Sequence, residues 1–344
     1  MMGHDDSLEQ VLRRHRAFWT MEDVDGPLLS VGRYEPLQRR QPFRLADGSL
    51  TQEGTRLLPE FMDVHHLAEQ QDPPSVVVSG GFIQASAPYD LCWNEAIAGC
   101  PIRWKTGHVW SEPFLNDVDD LERLRVVSDN PWLNILLAMT RLLAKQAEGR
   151  YPVCQPLLRG PIDIASALIG DESLCWTILD EPVRFKHLLE VCTQVFITVA
   201  KAWAAVAPLF QGGSCEYGIW APGRIVRLQA DNAALLSPRL YRDFLLACDE
   251  RICAAFDYPL IHTHSGVLHI MVDALLALNP LRAIQVSMDY PGGPPLAELL
   301  PLFRQINAHK PLIITGPVSQ SELDLLLQSL SPRGVCLQVT LHSD

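Results

Sequence analysis

The sequence predicts an α/β protein, a (β/α)8 TIM-type barrel with N-terminal helical decoration. Three observations predict it. Short apolar runs bounded by Gly or Pro recur from the second quarter onward, amphipathic helical patterns lie between them, and polar residues gather beside glycines where the runs end. Such a run reads as a parallel strand buried on both faces, and alternation with helices favours βα units.

The runs are SVVVSGG (75–81), YPVCQPLLRGP (151–161), APLFQGG (207–213), PLIHTHSG (259–266), AIQVSMD (283–289), PLIITGP (311–317) and GVCLQVT (334–340), with an eighth strand expected in HVWSEP (108–113). The clearest helix follows Asp180-Glu181-Pro182, where acidic residues and an early proline suit a helix start. From there Phe185, Leu188, Leu189, Cys192, Val195, Phe196, Val199 and Trp203 repeat at three and four, so one face is apolar. Ser237-Pro238 opens a second helix, with Tyr241, Phe244, Leu245, Cys248, Ile252 and Phe256 on one side. No GxGxxG follows the first strand, so the dinucleotide-binding open sheet lacks its main signature. Residues 1–70, with the Arg-rich RRQPFRLADGSL (39–50), read as decoration on a barrel of residues 71–344, and the absence of a Gly/Ser tract or repeat favours one domain over 1–344.

Composition narrows the function classes. With 48% hydrophobic and 20% charged residues the 344-residue chain can bury a large core. A formal net charge of -12 gives no basic footprint for nucleic acid. The start, MMGHDDSLEQVLRRHRAFW, has no signal-peptide pattern, and no uninterrupted apolar run approaches the ~20 residues of a bilayer span, so a cytoplasmic location away from membranes is expected. Arg13, Arg14 and Arg16 in that start read as a solvated helix face. Nine cysteines without CxxC spacing read as buried thiols rather than a disulfide framework.

In a parallel barrel, functional side chains lie at the C-terminal ends of strands, where the βα loops converge. PLLRGPID places Arg159 and Asp163 around a Gly-Pro turn that opens a helix, an expected anion site for substrate. QGGSCEYGIW places Cys215, Glu216, Tyr217 and Trp220 after a double glycine, with Trp220 expected to line the mouth. AIQVSMDY ends in Asp289 and PLIITGP in Thr315. Strand alternation puts His262 and His264 on one face, where two imidazoles can converge on a metal or a substrate. The bland reading of the pair is a hydrogen-bonded couple packed against carboxylates.

A catalytic zinc needs three protein ligands, and the candidates for the third are Cys336, Cys215 and His342. The metal-free alternative has an imidazolium and an arginine stabilise negative charge while Asp or Tyr moves a proton. Asp231 and Asp289 suit either chemistry, or orient a histidine through its second nitrogen.

These pieces, in the order GPIDIASALIGDESLCWTILDEPVRFKHLLEVCTQ (160–194), DNAALLSPRLYRDFLLACDERI (231–252), PLIHTHSGVLHIMVDALLALNPLRAIQVSMD (259–289) and PLIITGPVSQSELDLLL (311–327), resemble the superfamily of uroporphyrinogen decarboxylase and the corrinoid-linked methyltransferases. The resemblance runs from about residue 90 to the C-terminus and implies a (β/α)8 barrel with its site at the C-terminal mouth. In methyltransferase members an HxC motif and a distant Cys hold zinc; here His262 matches the histidine, His264 replaces the cysteine, and Cys336 lies near the distant position. Decarboxylase members hold substrate carboxylates with an N-terminal arginine-rich loop, which VGRYEPLQRR (31–40) does not reproduce.

The expectation is a methyltransferase-like enzyme moving a methyl or one-carbon group between a small substrate and a corrinoid or thiol acceptor. Zinc would be held by His262, His264 and Cys336, with Glu216, Tyr217, Asp231 and Asp289 as catalytic residues and Arg159, Asp163, Trp220 and Thr315 binding substrate. A corrinoid protein and a second copy in a homodimer are the expected partners. The alternatives are a metal-free decarboxylase or lyase acting on a tetrapyrrole-like carboxylate, and a noncatalytic small-molecule-binding barrel.

Overall fold

The computed structural model describes residues 7–35, 41–69, 71, 73–105, 107–115, 124 and 129–342. Its contacts divide the chain into two compact units, one built from residues of 1–36, 76–84 and 211–344, the other from residues of 37–75 and 85–210. Arg39 and Arg40 of the Arg-rich segments lie outside the described residues.

The first unit is organised by a parallel sheet of six strands: β1 (Leu28–Arg33), β2 (Ile225–Gln229), β3 (Tyr258–His264), β4 (Ala283–Ser287), β5 (Leu312–Val318) and β6 (Val335–Leu341). Their order is β1-β6-β5-β4-β3-β2, so the first strand pairs with the last. Helices Leu268–Ala277, Leu296–Asn307 and Gln320–Ser329 connect β3 through β6 as successive βα units, the arrangement the alternating pattern predicts. Among the described residues the ladder does not close into a ring.

Side chains two apart along a strand share a face. On β3 that face carries Tyr258, packed against the floor, and Leu260, buried with Leu28, Ile225, Ala283, Ile313 and Cys336 in one apolar cluster that Phe18 and Trp19 also join. His262 and His264 follow on the same face, one and two layers nearer the strand's C-terminal end. The cluster is therefore a dry floor, and the polar layers above it are the first positions where ionisable groups escape full burial. Helix Leu8–Thr20, begun by a Ser7–Gln10 capping box, covers this floor with Phe18 and Trp19, buries Val11 and Leu12, and leaves Arg13, Arg14 and Arg16 exposed.

Not every predicted strand forms one. SVVVSGG yields only Val78–Ser79, hairpinned to Phe82–Ile83, and APLFQGG is replaced by a hairpin of Ser214–Glu216 with Ile219–Ala221. YPVCQPLLRGP forms no ladder, only isolated bridge residues at Val153, parallel to Ser86, and at Arg159, because Pro152 and Pro156 have no N–H to give one. HVWSEP pairs antiparallel with Ile102–Lys105 rather than joining a parallel sheet. Conversely, β1 lies inside the segment read as decoration, and β2 was not foreseen.

The second unit is mainly helical, with Pro131–Ala147, Pro161–Ile169, Asp171–Asp180 and Pro182–Val206 as its longest elements. Among the described residues Pro182–Val206 is the one helix long and apolar enough to cross a membrane by length and composition. Its predicted face, Phe185 to Trp203, is buried, and the helix packs against Pro131–Ala147 and Pro161–Ile169 within this unit's core.

Candidate functional site

The polar layers at the C-terminal ends of β2 to β6 form one hydrogen-bonded network. His262 Nδ1 contacts Gln285 Oε1 and lies 3.1 Å from the Tyr217 hydroxyl. Gln285, the register partner of His262, donates its Nε2 hydrogen to Thr315 Oγ1 at 2.5 Å. That donation turns the amide oxygen toward the imidazole, so Nδ1 carries the proton and Nε2 keeps its lone pair. Burial holds the His262 pKa down at about 4, with neighbouring His264 and Arg227 adding to the effect and Gln285 opposing it. The ring is neutral at neutral pH.

His264 is fixed in the same sense. Its Nδ1 lies 2.6 Å from Asp289 Oδ1, and its Nε2 lies 3.6 Å from Asp231 Oδ1. Burial of Asp289 acts to raise its pKa, but the Gly266 N–H, His264 and the Ser265 hydroxyl outweigh it and hold the carboxyl below its usual range. The ring centroids of the two histidines are 5.1 Å apart at 87°. Ligand atoms of Asp231, His262 and His264 all lie within 4.8 Å of one another. Gln229 Nε2 donates to Asp231 Oδ2 at 2.6 Å, which steadies the carboxylate.

Beside the histidines, Arg227 pairs with Glu216 at 3.1 Å, sits over the Tyr217 ring at 5.4 Å, and donates to the Tyr217 hydroxyl at 3.4 Å. Burial pushes the Tyr217 phenol up to about 12, so it stays protonated. The Glu216 carboxyl is also raised by burial, against the pull of Arg227. Tyr217 occupies the left-handed region (φ 49°) at the hairpin tip, and Gln338 Nε2 donates to its carbonyl.

The sequence-predicted residues thus divide. Glu216, Tyr217, Asp231, His262, His264, Asp289 and Thr315 belong to this network. Cys336, expected as the third zinc ligand, is fully buried in the apolar floor between Leu28 and Ile313, and burial pushes its thiol pKa up. Trp220, expected at the mouth, is 1% exposed in the core, its N–H donating to His15 Nδ1 and its carbonyl accepting from Trp19 Nε1. Of the other third-ligand candidates, Cys215 is buried with its thiol against the Ile83 carbonyl, and His342 stacks on Tyr290. Arg159 and Asp163 belong to the second unit, where Asp163 is buried in the first turn of Pro161–Ile169 and Arg159 pairs with buried Glu95.

Sequence reasoning missed Gln229, Arg227, Gln285 and Gln338. The available signal was a polar side chain alternating with apolar ones inside a strand, as in AIQVS, at the parity of the histidines.

A parallel α/β sheet whose strand ends carry a convergent set of ionisable groups is the layout of the α/β-barrel enzymes. The family model for uroporphyrinogen decarboxylase (URO-D) matches residues 80–288, more than half of the chain, and the chain belongs to that family. Among solved structures, a methyltransferase from Methanosarcina mazei superposes with a TM-score of 0.60, covering 96% of this chain and 93% of that one at 15% identity. At that identity the likeness is one of fold. None of the curated proteins compared with the chain is similar to it.

Proposed function

We propose that the chain transfers a methyl or other one-carbon group between a small substrate and a corrinoid or thiol acceptor, with zinc held by Asp231, His262 and His264. The observation that carries this reading is the convergence of the three ligand atoms within 4.8 Å. Each imidazole also has its Nδ1 engaged by a hydrogen-bond acceptor, the arrangement that fixes a metal-binding tautomer.

The residues fit such an ion. Tetrahedral zinc with N and O ligands at ~2.0–2.1 Å places neighbouring ligand atoms about 3.3 Å apart. The 3.6 Å between His264 Nε2 and Asp231 Oδ1 is close to that. The donor set is two neutral nitrogens and one carboxylate, with Asp231 in the place expected for Cys336. When bound, the metal would supply Lewis-acid polarisation of the heteroatom that carries the group to be transferred.

The chain's own groups do the rest. Gln285 and Asp289 hold the two imidazoles in one tautomer, and Thr315 holds Gln285. Tyr217, protonated and anchored by Arg227, offers a neutral hydroxyl to charge that develops beside His262. Asp231 and His264, with side chains 40% and 39% exposed, leave the site open to a corrinoid carried by a partner protein. The decarboxylase alternative requires guanidinium groups for several carboxylates, whereas Arg227 in this network is committed to Glu216.

The test is methyl transfer from a panel of O- and N-methylated small molecules to cob(I)alamin by zinc-loaded protein, followed by corrinoid absorbance. The reading expects methyl-corrinoid formation by the wild type and none by Asp231→Ala or His262→Ala. Transfer unaffected in both variants would contradict it.

A further inference from the structure

The second unit contains a cleft whose chemistry the metal site does not use. Its volume is about 270 Å³. Asp90, His108, Val109, Trp110 and Arg159 line it.

Arg159 is built into this cleft. Its Nη1 donates to Glu95 Oε1 at 3.0 Å and to Cys92 Sγ at 3.2 Å, and the Glu95 side chain is only 2% exposed. Among the described residues no protein acceptor engages Nε or Nη2, and the side chain is 27% exposed. One nitrogen is therefore clamped by a buried carboxylate while the other edge keeps the two-donor fork that matches a ligand carboxylate. Clamping also removes rotamer freedom that binding would otherwise have to remove.

The other two walls differ in kind. Trp110 donates its Nε1 hydrogen to the Lys105 carbonyl at 3.1 Å, which fixes the indole while 51% of the residue stays exposed. Asp90 accepts the Cys92 N–H at 3.1 Å, in a turn where Cys92 takes a left-handed backbone (φ 53°). The Arg159 charge is already balanced by Glu95, and Asp90 adds a negative charge, so a simple anion gains little from the field of the cleft. A simple cation meets the guanidinium. A ligand carrying both signs satisfies both walls.

We propose that this cleft binds a small amino-acid-like zwitterion, its carboxylate on the Nε/Nη2 edge of Arg159 and its ammonium between Asp90 and the face of Trp110. A methylated ammonium gains most, because an indole face attracts a weakly hydrated cation. The assignment stands on the cleft alone and does not require the metal reading.

The experiment is titration calorimetry of the full chain with N,N,N-trimethylglycine, with acetate and tetramethylammonium as half-ligands at equal ionic strength. The expected result is saturable binding of the zwitterion at least about tenfold tighter than either half-ligand, weakened about tenfold by Trp110→Ala and unchanged by a metal chelator. Trp110 is exposed, so that variant keeps the fold, and Arg159→Lys gives a second loss while preserving the charge facing Glu95. No saturable binding, acetate binding as tightly as the zwitterion, or binding abolished by chelation and indifferent to Trp110→Ala would each overturn the proposal.

Discussion

His264 Nδ1 lies 2.6 Å from Asp289 Oδ1, and Asp289 Oδ2 in turn accepts the Ser265 hydroxyl at 3.1 Å and the Gly266 N–H at 2.9 Å. The carboxylate is held by the turn that ends β3, and through it the imidazole is held by the backbone. Asp289→Asn should lower zinc affinity about 10- to 100-fold without unfolding the protein, because it weakens the partner that fixes the His264 tautomer. Competition against a chromophoric chelator measures this, and an unchanged affinity would mean that Asp289 does not orient the ligand.

Cys336 provides the contrasting case. Its thiol belongs to the floor cluster with Leu260, Ala283 and Ile313. Cys336→Ala should leave metal stoichiometry unchanged and cost about 1–2 kcal/mol of stability through the small cavity it opens. Denaturant melts beside metal analysis separate the two effects, and loss of metal with stability intact would restore Cys336 as a ligand.

The site was partly readable from residue order because a strand's alternation is strict. With PLIHTHSG a strand, His262 and His264 share a face, and the polar residues beside Gly266 and at Asp289 lie near a strand end. Alternation does not give depth. Cys336 has the right parity but belongs to the floor, which only the pairing of β6 with β1 and β5 reveals. Strands β1 and β2 carry Ser30 and Gly32, and Arg227 and Gln229, among their apolar residues, and these interruptions leave no continuous apolar run to mark a strand. The same Arg227 and Gln229 are what tie β2 to the site. A polar interruption that hides a strand can thus be a functional layer.

Two buried groups should give stability opposite pH dependences. His15, fully buried between the Gly81 carbonyl and the Trp220 N–H, has its pKa lowered to about 4, chiefly by burial. A base whose folded pKa is depressed contributes stability that is complete above its unfolded pKa of about 6.5 and is lost as pH falls toward 4. The loss is on the order of 3 kcal/mol. His15→Gln should flatten this part of the profile in urea melts between pH 7 and 4, and a profile identical to wild type would show that His15 does not carry it.

Asp249 acts in the other direction. It is 2% exposed, accepts the Tyr241 hydroxyl, and is pushed up to about 7 by burial. An acid whose folded pKa is raised is most favourable to the fold below its unfolded pKa and loses that contribution as pH rises through 7. Asp249→Asn retains an acceptor for Tyr241 and carries no charge. It should raise stability at pH 8 by on the order of 4 kcal/mol and change little at pH 4. Equal effects at both pH values would contradict a buried, titrating carboxyl.

Asp231, His262 and His264 are proposed to hold one metal ion. The most direct test is metal content, by mass spectrometry, of protein purified without a His-tag and dialysed against trace zinc, for the wild type beside Asp231→Ala, His262→Ala, His264→Ala and Cys336→Ala. About one equivalent is expected in the wild type and in Cys336→Ala, with little in the other three. A wild type that binds no metal, or one whose metal is lost with Cys336 and kept without Asp231, would contradict this assignment.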